Sequence, residues 1–136
     1  MYRTIRKDGT ITYFFDHYPY FPEKKYTGLE IISFISQKKL WVWTASIVYN
    51  RKFLSAKNLV FDQYKSGQDI LFSLKCISHA TNIFILKEEL TNYNYRYDSV
   101  TNDVSIKNFE AIFAWHSIIS LIKELNNISV DNINYF

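Results

Sequence analysis

The sequence predicts an α+β fold. Residues 1–136 read as a single domain with a mostly antiparallel sheet, a short helix near 28–39, and a long amphipathic C-terminal helix near 105–126 packed on one face. Three observations predict it. Short β-rich runs recur along much of the chain, Thr27-Gly28-Leu29-Glu30 has the pattern of a capping box, and apolar residues return with a helical period near the C-terminus.

The first element is a hairpin. YRTIRKDGTITYFF places β-rich arms around Lys7-Asp8-Gly9, and Asp-Gly suits the left-handed pair of a type I′ turn. Pro19 and Pro22 then end the second arm, because neither can donate to a ladder. After the Thr27 cap, Ile31, Ile32, Phe34 and Ile35 follow at helical spacing, and Lys38 and Lys39 bring positive charge to the helix C-terminus.

From Leu40 onward the pattern changes period. Trp41, Trp43, Ala45, Ile47 and Tyr49 alternate with Val42, Thr44, Ser46 and Val48, which predicts a strand with one aromatic face. KNLVFDQY (57–64) reads as another strand, followed by a turn at Lys65-Ser66-Gly67-Gln68. DILFSLKCIS (69–78) and NIFILKEEL (82–90) are apolar runs of strand length, with a helix as the alternative for the first. TNYNYRYDSV and NDVSIK read as a second hairpin around Ser99 to Asn102. In the last helix, Ile106, Phe109, Ile112, Phe113, Ile119, Ile122 and Leu125 form the predicted core stripe.

Composition excludes several classes. Apolar residues make up 48% and charged residues 21%, which suits a folded domain and not a disordered one. No apolar run approaches the roughly 18 residues of a bilayer span, and the basic N-terminus lacks the apolar stretch of a signal peptide. One cysteine, Cys76, permits no intrachain disulfide, and its apolar setting reads as a small buried hydrophobe. The expected location is a reducing cytoplasm, in a bacterial or phage setting, with no membrane association.

Chemistry is hard to assemble from these residues. His17, His79 and His116 lack the paired spacing of a metal site, so no metal and no cofactor are expected. The chain has three glycines and no Gly-rich phosphate loop, no Gly-x-Ser-x-Gly elbow, and no basic neighbour for Cys76 beyond Lys75. His79-Ala80-Thr81 is a single His-x-Thr element; a two-histidine phosphoesterase needs a second one, and Ile118 stands where its hydroxyl would be. Glu88-Glu89 and the Asp98/Asp103 pair read as solvated ends and turns. No catalytic residue is assigned, and the chain is expected not to be an enzyme.

Binding is the remaining class. The 11 Tyr, 11 Phe and 3 Trp are residue types that dominate interface hot spots. Residues 1–68 carry 11 basic and 5 acidic side chains, against 5 basic and 8 acidic in residues 69–136. The leading expectation is a non-catalytic intracellular protein-binding module. In size, mixed charge and aromatic content it is similar in character to immunity or inhibitor proteins that block a toxin, nuclease domain or other protein, although no diagnostic residue carries the likeness. Candidate contact residues are Tyr18, Tyr20, Phe21, Lys24 and Lys25 in the Tyr-rich loop, Tyr93, Tyr95, Arg96 and Tyr97 in the second hairpin, and the acidic Glu88, Glu89 and Asp98. The alternative is single-stranded nucleic acid, held by the basic, Tyr-rich N-terminal half. Strand edges of this kind are also compatible with a homodimer.

Overall fold

In the computed structural model, which describes residues 2–5, 8–13, 21–64, 66–86, 88, 90–94 and 109–124, helices carry most of the regular structure. The order is β1 (Tyr2–Ile5), β2 (Ile11–Tyr13), α1 (Gly28–Ser36), a 3-10 turn (Thr44–Ser46), α2 (Arg51–Ala56), α3 (Gln68–His79), β3 (Thr91–Asn94) and α4 (Phe109–Glu124). The mostly antiparallel sheet domain expected from the sequence is therefore wrong. The sheet among the described residues has three short strands in the order β2-β1-β3, and it is mixed: β1 runs antiparallel to β2 and parallel to β3. Its antiparallel pair is the expected opening hairpin, with Ile5 opposite Ile11. The turn differs from the type I′ expectation. Gly9 has a positive φ of 82° while Asp8 does not, and the Asp8 carboxylate instead accepts from the Thr10 N–H at 2.9 Å.

α1 starts as its sequence dictates. The Thr27 hydroxyl accepts from the Glu30 N–H at 3.3 Å, and Glu30 Oε2 accepts from the Thr27 N–H at 2.7 Å. It stops three residues before the expected end. Lys38 adopts a left-handed φ of 55°, the Lys38 N–H donates to Ile35 O, and the Lys39 N–H donates back to Phe34 O at 2.8 Å. This is a Schellman closure with lysine in the glycine position.

Three predicted strands are not strands, and of a fourth, 82–90, the described residues form only an isolated bridge from Ile83 to Tyr26. Residues 41–49 are interrupted by the 3-10 turn, where Ser46 Oγ donates locally to Trp43 O at 2.7 Å and Thr44 Oγ1 donates to Asp69 O of α3 at 2.6 Å. Such side-chain bonds offer the backbone an alternative to a ladder. Asn50 then caps α2, accepting from the N–H groups of Lys52 and Phe53. Over 57–64 no strand forms: α2 closes at Lys57, and Asn58 has a positive φ of 50°. Residues 69–78 lie in α3, the central helix. It packs on α1, α4 and the 3-10 turn, so Leu71, Phe72, Ser73, Leu74, Cys76 and Ile77 are all buried. Burial nearly all round erases the amphipathic period and leaves a continuous apolar run.

The core gathers Tyr26, Ile31, Ile32, Leu71, Leu74 and Ile118, with Phe21 and Phe34 packed edge-on against Tyr26 and tilted against each other. α4 is where the sequence places a helix, but it packs against α3, not across a sheet. Its buried line is Ala114 and Ile118, while Ile112 and Phe113 of the predicted stripe are exposed and Ile119 is half-buried. The expected hairpin around Ser99 to Asn102, the Pro19 break, and the stripe positions Ile106 and Leu125 lie outside the described residues. Among the described residues no helix is long and apolar enough to cross a membrane.

One surface interaction gives a pH signature. Lys24 Nζ donates to Glu30 Oε1 at 2.8 Å and lies 4.7 Å from the Tyr26 ring centre. The Lys24 hydrogen bond first, and the Thr27 N–H second, hold the Glu30 carboxyl down at about 2 from 4.5. A depressed carboxylate stabilises the fold above its unfolded value, and that contribution is lost as pH falls from about 4.5 towards 2. Glu30→Gln is expected to lower stability at neutral pH modestly and to flatten the acid limb of a thermal melt series between those values.

Candidate functional site

The most distinctive surface feature is a groove of about 760 Å³ between two segments that flank the end of α3. One wall runs from Leu40 to Asn50 and continues into Phe53 of α2. The other leaves α3 at Ala80 and runs through Leu86 to Leu90 and Thr91, where β3 begins. Ile31, Cys76 and Ile77 form the floor.

Each wall is held by specific bonds. On the first, Thr44 Oγ1 and Ser73 Oγ share the Asp69 carbonyl at 2.6 and 2.8 Å, and the two hydroxyls lie 2.6 Å apart. Tyr49 OH adds a contact to Ser73 Oγ at 3.1 Å, and its ring lies tilted against Phe72. Burial raises the Tyr49 phenol above its ordinary value, so it stays protonated at neutral pH. Ser73 is fully buried, and this hydroxyl cluster satisfies it. On the second wall, the Gly28 N–H donates to Ala80 O at 2.8 Å, while Tyr26 and Ile83 exchange backbone hydrogen bonds, each at 2.8 Å. The groove is thus bolted to both α1 and α3.

Its chemistry is uniform. None of the described residues that line it is Lys, Arg, Asp, Glu or His. Its polar groups are the side chains of Ser46, Tyr49, Asn50, Thr81, Asn82 and Thr91, together with the main chain and the Cys76 thiol. Large apolar side chains stand open to solvent along it: Val48 at 93%, Leu90 at 63%, Phe84 at 61% and Leu86 at 54% exposure, with Trp41 beside them. Folded proteins rarely leave this much apolar side chain in one place without a use for it. A volume within the roughly 300–1,000 Å³ of ordinary ligand sites, with few polar groups, suits an apolar occupant.

Cys76 is the groove's one reactive side-chain type. It is buried, as its sequence setting suggests, and burial pushes its thiol up from 9.0 to about 11. A thiol with so little thiolate at neutral pH is a poor nucleophile. Alkylation by iodoacetamide at pH 7–8 is expected to be slow and limited by opening of the fold, and stability should decline between about pH 9 and 11, where the unfolded chain ionises first. Fast labelling at pH 7 in the folded state would contradict this.

The residues singled out from the sequence fall elsewhere. Phe21 is a buried core side chain. Lys24 is tied to Glu30, whereas Lys25 is exposed. Glu88 is exposed and follows the second wall, and Tyr93 belongs to β3, where its backbone is paired with Thr4. Tyr18, Tyr20, Glu89, Tyr95, Arg96, Tyr97 and Asp98 lie outside the described residues. Of the histidines, His79 is exposed at the end of α3 with Nδ1 2.9 Å from Lys75 O, and His116 is exposed on α4. No group of three or more potential metal ligands occurs among the described residues. The groove residues Val48, Phe84, Leu86 and Leu90 were not picked out from the sequence. The signal was present in NIFILKEEL, whose residues Ile83 to Leu86 are apolar on both faces and do not suit a strand with one wet side.

No protein-family model, no curated protein and no solved structure matches the chain.

Proposed function

We propose that the chain is a non-catalytic protein-binding module whose groove takes an apolar segment of a protein partner. The observation that supports this reading is the line of exposed Trp41, Val48, Phe84, Leu86 and Leu90 on a groove with no charged lining residue among those described. Apolar and aromatic anchors in a desolvated cleft are what interface hot spots are made of. Nucleic acid is a poorer fit to this groove, because phosphate binding needs cations. Two of the described lysines are also committed to carboxylates, Lys24 to Glu30 and Lys75 to Asp62 at 2.7 Å.

The more specific reading is an inhibitor-type protein that blocks a toxin or other effector in the cytoplasm. It draws on the sequence character described above. Immobilised protein exposed to lysate of the native host, and in parallel to single-stranded oligonucleotides, tests both levels. The expected result is a stoichiometric protein partner that survives moderate salt and is lost when the groove is charged. Retention of oligonucleotide that falls steeply with salt and ignores groove substitutions would overturn the proposal. Inhibition of the captured partner's own activity separates an inhibitor from a passive binder.

A further inference from the structure

The backbone of the groove walls narrows the occupant further, resting on the protein-binding reading above. The second wall is extended where it leaves α3, with Ala80 at φ −82° and ψ 133°. Beyond the Tyr26–Ile83 bridge its side chains alternate as in a strand: Ile83 and Ile85 are half-buried against the core, and Phe84 and Leu86 point to solvent. Among the described residues, no backbone hydrogen bond joins Phe84, Ile85 or Leu86 to a neighbour. The first wall is similar at Val48. It lies between Ile47 (φ −117°, ψ 134°) and Asn50 (φ −73°, ψ 117°), both extended, and its own main chain makes no backbone bond to a described residue.

The groove therefore offers two things together: apolar side chains, and extended main chain that no described backbone group pairs. An occupant that covers the first without pairing the second would strip water from N–H and C=O groups and give nothing back, an unfavourable exchange for each group. A helix satisfies its own interior backbone and has none to offer. A small apolar molecule has none at all. An extended peptide supplies both, its main chain completing the open ladder and its alternate side chains entering the groove. The lack of charge on the lining selects uncharged side chains at the inward positions.

We propose that the groove binds an extended, uncharged protein segment, apolar at alternate positions, which adds as a strand along Phe84–Leu86. A phage-displayed library of random octapeptides, panned on the full-length protein, tests this. Enriched sequences are expected to be apolar at every second position, the inward ones, and to lose affinity about tenfold or more against Phe84→Asp. The most enriched peptide is then synthesised with single N-methylated amides. Methylation of alternate amides on one edge should weaken binding about tenfold each, and methylation on the other edge should have little effect. This scan does not depend on how any protein variant folds.

Enriched peptides with apolar residues at helical spacing, insensitive to N-methylation, would overturn the strand proposal and leave the protein-binding reading intact. Saturation by 8-anilinonaphthalene-1-sulfonate or decanol with no enriched peptide would overturn both. Concentration-dependent self-association that Phe84→Asp abolishes, again with no peptide enriched, would replace the foreign segment by a second copy of this chain.

Discussion

Replacing Gly28 by alanine is expected to destabilise the protein by about 3 kcal/mol or more, and valine to prevent stable folding altogether. Helix propensity alone argues the other way, since alanine in a helix is favoured over glycine by about 1 kcal/mol. The close approach decides the sign. A Cβ on Gly28 would stand 1.8 Å from the carbonyl oxygen of Ile77, 2.8 Å from its carbonyl carbon and 3.1 Å from Ala80 O. These are backbone atoms at the end of α3 and cannot move aside as a side chain does. The Gly28 N–H also donates to Ala80 O, so separating the helices to admit a methyl group would lose that bond and open the core around Ile31 and Ile77. Chemical denaturation of Gly28→Ala measures the effect. A variant as stable as the parent would mean that α1 and α3 do not cross here, and the groove floor would fall with that crossing.

The second large effect concerns binding. The paired substitution Val48→Asp and Phe84→Asp is expected to weaken a protein partner about a hundredfold or more, because each buries a carboxylate in an interface with nothing to pair it. The same variant should melt within a few degrees of the parent, since both side chains are mostly exposed in the unbound fold. Calorimetry for the partner and circular dichroism for the fold separate the two. Loss of binding together with loss of fold would instead indicate that these side chains serve stability.

What was legible in the sequence was local. The Thr27/Glu30 capping box and the opening hairpin are formed by residues a few positions apart, and the structure has both. The long C-terminal helix was legible from its period, but not its buried line. Ala114 is buried because a small side chain is needed near Gly67, whose added Cβ would stand 2.9 Å from Ala114 Cβ. Such a choice depends on the neighbour and not on the helix's own pattern. α3 was misread because a helix buried on most sides loses its polar face, and the run Ile70 to Ile77 then resembles a core strand. The alternation from Trp41 to Tyr49 was real, but Thr44 hydrogen-bonds to a helix turn 25 residues away and breaks it. The groove was invisible for the same reason: its walls are remote in sequence and are held in place by bonds to Ser73, Gly28 and Tyr26. Aromatic residues drew attention to the Tyr-rich loop, whereas the exposed line of the described fold is mostly aliphatic.

Amide hydrogen exchange shows whether a partner segment binds in the groove. Exchange is measured on the full chain alone and saturated with the most enriched library peptide. In the unbound protein the amides of Phe84, Ile85 and Leu86 should exchange quickly, because no described backbone group accepts from them. On saturation, amides along this segment are expected to slow about a hundredfold, together with those around Val48. Unchanged exchange over 84–86, with protection appearing instead in the Lys24–Lys25 region, would contradict the account and return the binding surface to the basic N-terminal half.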